Sequence, residues 1–132
     1  MAINAYSKKR DGKKKIATNF QVKEFACKDG SDPIFIDSEL VNILQKIRTH
    51  FKKPVTITSA YRTPSRNVAV GGTEHSQHLY GKAADIKVSG FSPSEVATYA
   101  EKLLSNRGGI GIYDSFIHID VRDTKARWKG RA

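Results

Sequence analysis

Three side chains in this sequence, His78, Asp85 and His118, could together carry out metal-assisted hydrolysis. Two imidazoles and a carboxylate form the set that holds a catalytic zinc ion while leaving one coordination position open for water. His78 and Asp85 lie in the run Ser76-Gln77-His78-Leu79-Tyr80-Gly81-Lys82-Ala83-Ala84-Asp85, and His118 opens the run His118-Ile119-Asp120. Zinc would offset the cost of burying a carboxylate and imidazoles on one sheet face and would lower the pKa of its water toward 7. Spacing alone leaves a second interpretation open, in which His118 hydrogen-bonds Asp120 or Asp85 for purely structural reasons. His75 is either an auxiliary contact or a solvent-exposed loop residue, and His50 reads as a surface charge at the end of a helix.

These residues need a scaffold, and the pattern around them supplies one. Asp37 is a helix cap, and Leu40, Val41, Leu44, Ile47 and Phe51 recur at helical spacing behind it. The β-branched alternation of residues 54–59 predicts a strand. Thr63-Pro64 caps a short helix that ends at Gly71-Gly72. Residues 72–80 have no period and read as a loop that leads into a strand over 83–88, so His78 falls on the loop and Asp85 on the strand. Ser92-Pro93-Ser94-Glu95 is a capping box for a second long helix with Val96, Tyr99, Ala100, Leu103 and Leu104 on its inner stripe. Residues 109–113 and 116–121 predict two strands joined at Asp114-Ser115. Alternation on the second of these points His118 and Asp120 to one side, with Ile117 and Ile119 packing behind. Arg122 continues that face and could pair with Asp120. The order of elements predicts an α+β fold, a small antiparallel sheet with flanking helices. Residues 1–15 lack hydrophobic period and read as a basic flexible arm, leaving 16–132 as the domain proper.

Composition narrows the partners. At 132 residues the chain suits one domain able to bury roughly two thirds of its unfolded surface, with a monomer as the default. The single cysteine, Cys27, permits neither an internal disulfide nor a Cys-rich metal site. The net charge of +10 gathers at the ends, in Lys8, Lys9, Arg10, Lys13, Lys14 and Lys15 and in Arg122, Lys125, Arg127, Lys129 and Arg131. Such clusters favour an anionic partner: nucleic acid, anionic lipid or the bacterial wall. The centre is nearly charge-balanced and no aromatics are interleaved with the basic runs, which argues against specific nucleic-acid binding. No stretch of about eighteen apolar residues suggests a transmembrane span. Residues 1–15 offer no apolar secretory core either, so a substrate outside the cell would have to be reached by another route.

The motif Ser-x-His-x-x-Gly-x-Ala-x-Asp over residues 76–85, with Ser59-Ala60-Tyr61-Arg62 upstream and Phe116-Ile117-His118-Ile119-Asp120 downstream, resembles the zinc D-Ala-D-Ala carboxypeptidase family. That group includes phage endolysins and vancomycin-resistance dipeptidases and has hedgehog signalling domains as fold relatives. The resemblance spans residues 20–128 and implies a hedgehog/DD-peptidase-like fold. It implies His78, Asp85 and His118 as zinc ligands, Arg62 as the residue that meets a substrate carboxylate or an oxyanion, and Ser76 as a possible substrate or ligand contact. It also implies a zinc peptidase that cuts an amide in peptidoglycan stem peptides at the cell wall.

One departure stands out. Many such peptidases carry Glu, Asp or His two or three residues before the last histidine as general base, where this chain has Phe116 and Ser115. Asp120 and Asp114 are the remaining candidates, and Asp120 is equally suited to orienting His118 from behind. The gap also keeps a second function in view, a zinc-containing wall-binding module without turnover. Neither the scissile bond nor the choice between exo- and endopeptidase action is legible at this level.

Overall fold

The computed structural model describes residues 3–130; Arg131, counted above in the C-terminal basic cluster, lies outside them. Its elements are β1 (Ile3–Ser7), α1 (Lys8–Asp11), β2 (Lys15–Ala17), β3 (Phe20–Gln21), β4 (Pro33–Asp37), α2 (Ser38–Phe51), β5 (Val55–Ser59), α3 (Pro64–Ala69), β6 (Ala83–Val88), α4 (Pro93–Leu104), β7 (Gly109–Ile112), β8 (Ile117–Asp120) and β9 (Ala126–Lys129). Two 3-10 turns, Val22–Phe25 and Gln77–Tyr80, complete the list.

Local chemistry explains the helices. The Asp37 carboxylate accepts from the Glu39 backbone at the start of α2, and Ser92 and Glu95 form a reciprocal box at the start of α4. Each helix then turns one apolar stripe inward: Leu40, Val41, Ile43, Leu44 and Ile47 from α2, and Val96, Ala97, Ala100 and Leu104 from α4. The two stripes join Ile57, Ile86, Ile110, Ile117 and Ile119 of the sheet in one continuous core.

The main sheet runs β5-β6-β8-β7-β9. Its register carries the site. Ser59 faces Asp85, Asp85 faces His118, His118 faces Gly111 and Gly111 faces Trp128. Residues opposite one another in a ladder share a face, so five strands present a single row across the sheet. On the other face Ile86, Ile117 and Ile119 are buried under the helices.

The α+β class stands, with two differences from the expected small antiparallel sheet. β9 pairs parallel to β7, which makes the sheet mixed. Its four residues, Ala126-Arg127-Trp128-Lys129, alternate apolar and polar but are too few, inside a basic run, to mark a strand. Backbone pairing and the Arg127 side chain hold it instead, the latter donating to Glu101 at 2.6 Å and to the Gly108 carbonyl at 2.6 Å.

The second difference concerns the arm expected over residues 1–15. Residues 3–15 have regular structure: β1 pairs antiparallel with β4, and Ser7 caps α1. Asp32 ties this segment down, accepting from the Ser7 hydroxyl at 2.7 Å and from the Lys9 backbone at 2.8 Å. These anchors are polar and backbone-borne, so they leave no hydrophobic period to find. Within the expected loop over 72–80 a 3-10 turn also forms, and it carries His78. Among the described residues no helix is long and apolar enough to cross a membrane.

Candidate active site

His78, Asp85 and His118 come together from the 3-10 turn, β6 and β8, and all three are buried. His78 Nε2 lies 3.3 Å from Asp85 Oδ1, and His118 Nδ1 lies 3.2 Å from the same oxygen. The three ligand atoms fall within 4.8 Å of one another. Atoms bound about 2.0–2.1 Å from a tetrahedral zinc stand about 3.3 Å apart, so the spacing suits that ion.

The hydrogen bonds behind the rings decide which nitrogens are free. His78 Nδ1 is 2.6 Å from the Ala60 carbonyl, an acceptor only, so this nitrogen carries the proton. His118 Nε2 is 2.7 Å from Asp120 Oδ2, which likewise requires N–H on that side. In the neutral rings, His78 Nε2 and His118 Nδ1 therefore turn lone pairs toward the Asp85 oxygen. Three acceptors converging on one buried point call for a cation, which is the fit a metal site demands. Without one, protons must serve. Burial opposes a charged imidazole, yet hydrogen bonds to Asp120 and Asp85 outweigh it and raise the His118 pKa. The Asp85 carboxyl, despite its burial, is held well below the usual carboxylate range by His118 and His78.

Asp120 is fully buried. Its Oδ1 accepts from Gly109 N at 2.9 Å, Arg122 N at 3.1 Å and Arg122 Nε at 2.9 Å, and its Oδ2 accepts from Arg122 Nη2 at 2.7 Å. Of the two roles considered for Asp120, catalytic base and orienting carboxylate, this geometry fits the second. The residue sits behind His118, outside the cleft lining. Asp114 is exposed at the hairpin turn and also outside that lining.

Arg62 reaches the cleft with its guanidinium 3.6 Å from Asp85 Oδ2. Ser59 Oγ accepts from its Nε at 3.2 Å and Asn67 Oδ1 from its Nη1 at 3.3 Å. Asn67 is buried and donates to the Thr73 carbonyl at 2.8 Å. A methyl group on Gly72 would lie 2.0 Å from Asn67 Oδ1, so glycine there lets the loop close over this brace. Burial lowers the Arg62 pKa while Asp85 opposes the shift. Ser76 accepts from the His78 backbone at 3.3 Å and caps the turn that carries the ligand, and it also borders the cleft.

The cleft holds about 570 Å³ and is lined by Arg62, His75, His78, Asp85, His118 and Arg122, with Tyr113, Phe116 and Trp128 as an aromatic wall. His75 is exposed at the rim, 3.4 Å from the Tyr80 hydroxyl. His50 is remote, stacked on Tyr99 with ring centroids 3.7 Å apart.

Sequence patterns miss two supports: the Ala60 carbonyl, because a backbone atom has no residue signature, and the Asn67 brace, which reads as a packing and turn residue; Tyr113 and Trp128 read from sequence either as cleft lining or as packing, and both border the cleft. A second, more apolar cleft of about 550 Å³ lies between α4 and β9, and Trp128 borders both.

A family model described as Peptidase M15 matches residues 18–120. The chain is also 32% identical over 83 residues to a Haemophilus influenzae protein described as "Probable peptidoglycan L,D-endopeptidase MepK". The alignment covers 58% of this chain and 43% of that protein, so the chain spans less than half the length of this curated relative.

Proposed function

The chain belongs to the peptidase M15 family, and from that premise we propose that it is a zinc-dependent peptidase acting on the stem peptides of bacterial peptidoglycan. The observation that carries this reading is the convergence of His78 Nε2, Asp85 Oδ1 and His118 Nδ1 at the floor of a cleft bordered by Arg62. Those three atoms would hold the ion. Bound there, zinc supplies Lewis-acid chemistry, activating water near neutral pH and polarising a carbonyl oxygen.

The chain's own residues do the rest. The Ala60 carbonyl and Asp120 lock both imidazoles in the tautomer that keeps the ligand nitrogens unprotonated. Arg62, braced by Ser59 and Asn67, offers a fixed positive charge to a substrate carboxylate or to an oxygen on which charge develops. Asp120 acts as a positioning residue, and Ser76 holds the turn that presents His78. The relative's printed description supports a peptidoglycan peptide as substrate. We infer that it acts at the cell wall, an anionic partner that the basic surface suits, and as a monomer, the default for a small single domain. The wall-binding alternative rests on the lack of an acid or base at Ser115 and Phe116, and the match to a peptidase family weighs against it.

Purified protein is expected to bind one zinc per chain and to release new amino groups from peptidoglycan, with both lost in His78→Ala. Wall digestion that survives this substitution would sink the zinc mechanism.

A further inference from the structure

We propose that Tyr113 is a catalytic residue, donating its phenolic hydrogen bond to the scissile carbonyl oxygen as negative charge builds there, in the cleft that Arg62 also lines. This rests on the peptidase reading above and adds to it a group that neither the metal-site motifs nor the family match assigns.

The argument starts from the direction of one proton. Trp128 Nε1 donates to Tyr113 Oη at 3.0 Å. An indole N–H is a donor only, so the phenol oxygen is the acceptor in this pair and its own O–H must point elsewhere. Among the described residues no protein acceptor takes it. Tyr113 borders the cleft that holds the metal ligands, and its ring is fixed by stacking on Phe116 at 4.5 Å and 7°. A half-buried donor with its acceptor side occupied and its donor side unmet, facing a reaction cleft, is built to meet a ligand oxygen.

Two glycines make room for the arrangement. A methyl group on Gly111 would lie 2.4 Å from the Trp128 indole, and one on Gly130 would lie 2.2 Å from the Tyr113 ring. Gly111 is the one position without a side chain in the row Asp85, His118, Gly111, Trp128, so the indole folds over the gap until its ring is 5.1 Å from that of His118. Through the indole, Tyr113 is thus tied to the wall beside a metal ligand. The donor is preorganised, which is what lets a neutral hydrogen bond strengthen as charge develops without reorganisation at the moment of reaction.

Tyr113→Phe deletes the oxygen and keeps the ring. In the zinc-loaded protein acting on a stem peptide, kcat should fall about 100-fold with KM within about 2-fold, the size seen when one oxyanion donor is removed. Affinity for a phosphinate peptide, with tetrahedral phosphorus in place of the scissile carbonyl, should fall in parallel while zinc content holds. Unchanged kcat and unchanged phosphinate affinity would overturn the assignment. Because the substitution also removes the indole's acceptor, Trp128→Phe should be compared with Trp128→Phe/Tyr113→Phe: a further loss in the double variant supports the hydroxyl's role, and none overturns it. A wild-type protein that cleaves no peptide would count against the peptidase reading instead, and the phosphinate comparison would still decide Tyr113.

Discussion

Asp120 Oδ2 accepts from His118 Nε2 at 2.7 Å, on the ring edge opposite the nitrogen that faces Asp85. The carboxylate therefore controls the ligand from behind. Replacing it with asparagine should weaken zinc binding about 10- to 100-fold, the usual effect of losing a partner that orients a metal-ligating histidine. Titration against a competing chelator measures this directly. Asp120→Ala should in addition cost about 3–5 kcal/mol in urea unfolding, because Arg122 is left in a partly buried site without its partner.

The same residue sets a pH dependence. Burial opposes ionisation of Asp120, but hydrogen bonds from His118 and Arg122 outweigh it and hold the carboxyl well below the usual range. A depressed folded-state pKa contributes stability that is fully present above the unfolded value of about 3.9 and is lost as pH falls toward the folded value. Unfolding free energy of the metal-free protein should decline below about pH 4, and less steeply in Asp120→Asn. Equal slopes in the two proteins would show that Asp120 is not the group responsible.

Arg62→Lys should keep its zinc and lose activity by about 100-fold. Lysine retains the charge but cannot donate to Ser59 and Asn67 at once as the planar guanidinium does. Asn67→Ala, which removes the brace, should show a smaller loss in the same direction when both are assayed on one peptide.

Trp128 is the single tryptophan of the chain, so its emission reports on the cleft wall. Gly111→Ala places a methyl group where the indole now lies. The ring must move outward, and emission should shift to longer wavelength with zinc content maintained. Activity should drop because the wall beside His118 and the tie to Tyr113 are both disturbed.

Gly81 joins the turn that carries His78 to the strand that carries Asp85. It sits at φ +72°, and a side chain there would come within 2.3 Å of the Phe35 carbonyl oxygen. Gly81→Ala combines a left-handed backbone with a backbone clash, so the cost should exceed about 1 kcal/mol in denaturant unfolding. Zinc affinity should fall with it, since the two ligands flanking the turn are pushed apart.

Much of this arrangement is legible from residue types and spacing. His78, Asp85 and His118 stand out because two imidazoles and a carboxylate are costly to bury unless paired or bound to a cation, and because the motifs around them resemble a zinc peptidase family. The helices at 38–51 and 93–104 announce themselves through Asp37, Ser92 and Glu95 at their caps and through inward stripes that recur every three or four residues. The strand face shared by His118 and Asp120 follows from alternation. The N-terminal segment and β9 are hidden, because Asp32, Arg127 and backbone pairing hold them and their strands are too short and too basic in setting to announce themselves.

The identity of the proposed ligands and the order of the elements that carry them are thus legible in the sequence by itself. Which nitrogen of each histidine is free, whether Asp120 faces the cleft or the ring behind it, and where the hydroxyl of Tyr113 points were decided only in the folded chain. The reason is physical. Residue type states what a side chain can donate or accept, whereas direction is set by strand register and by partners such as the Ala60 carbonyl, Gly109 N and Trp128 Nε1. Two of these partners are backbone groups that every residue possesses, and all three meet their targets only when segments distant in the chain are brought side by side.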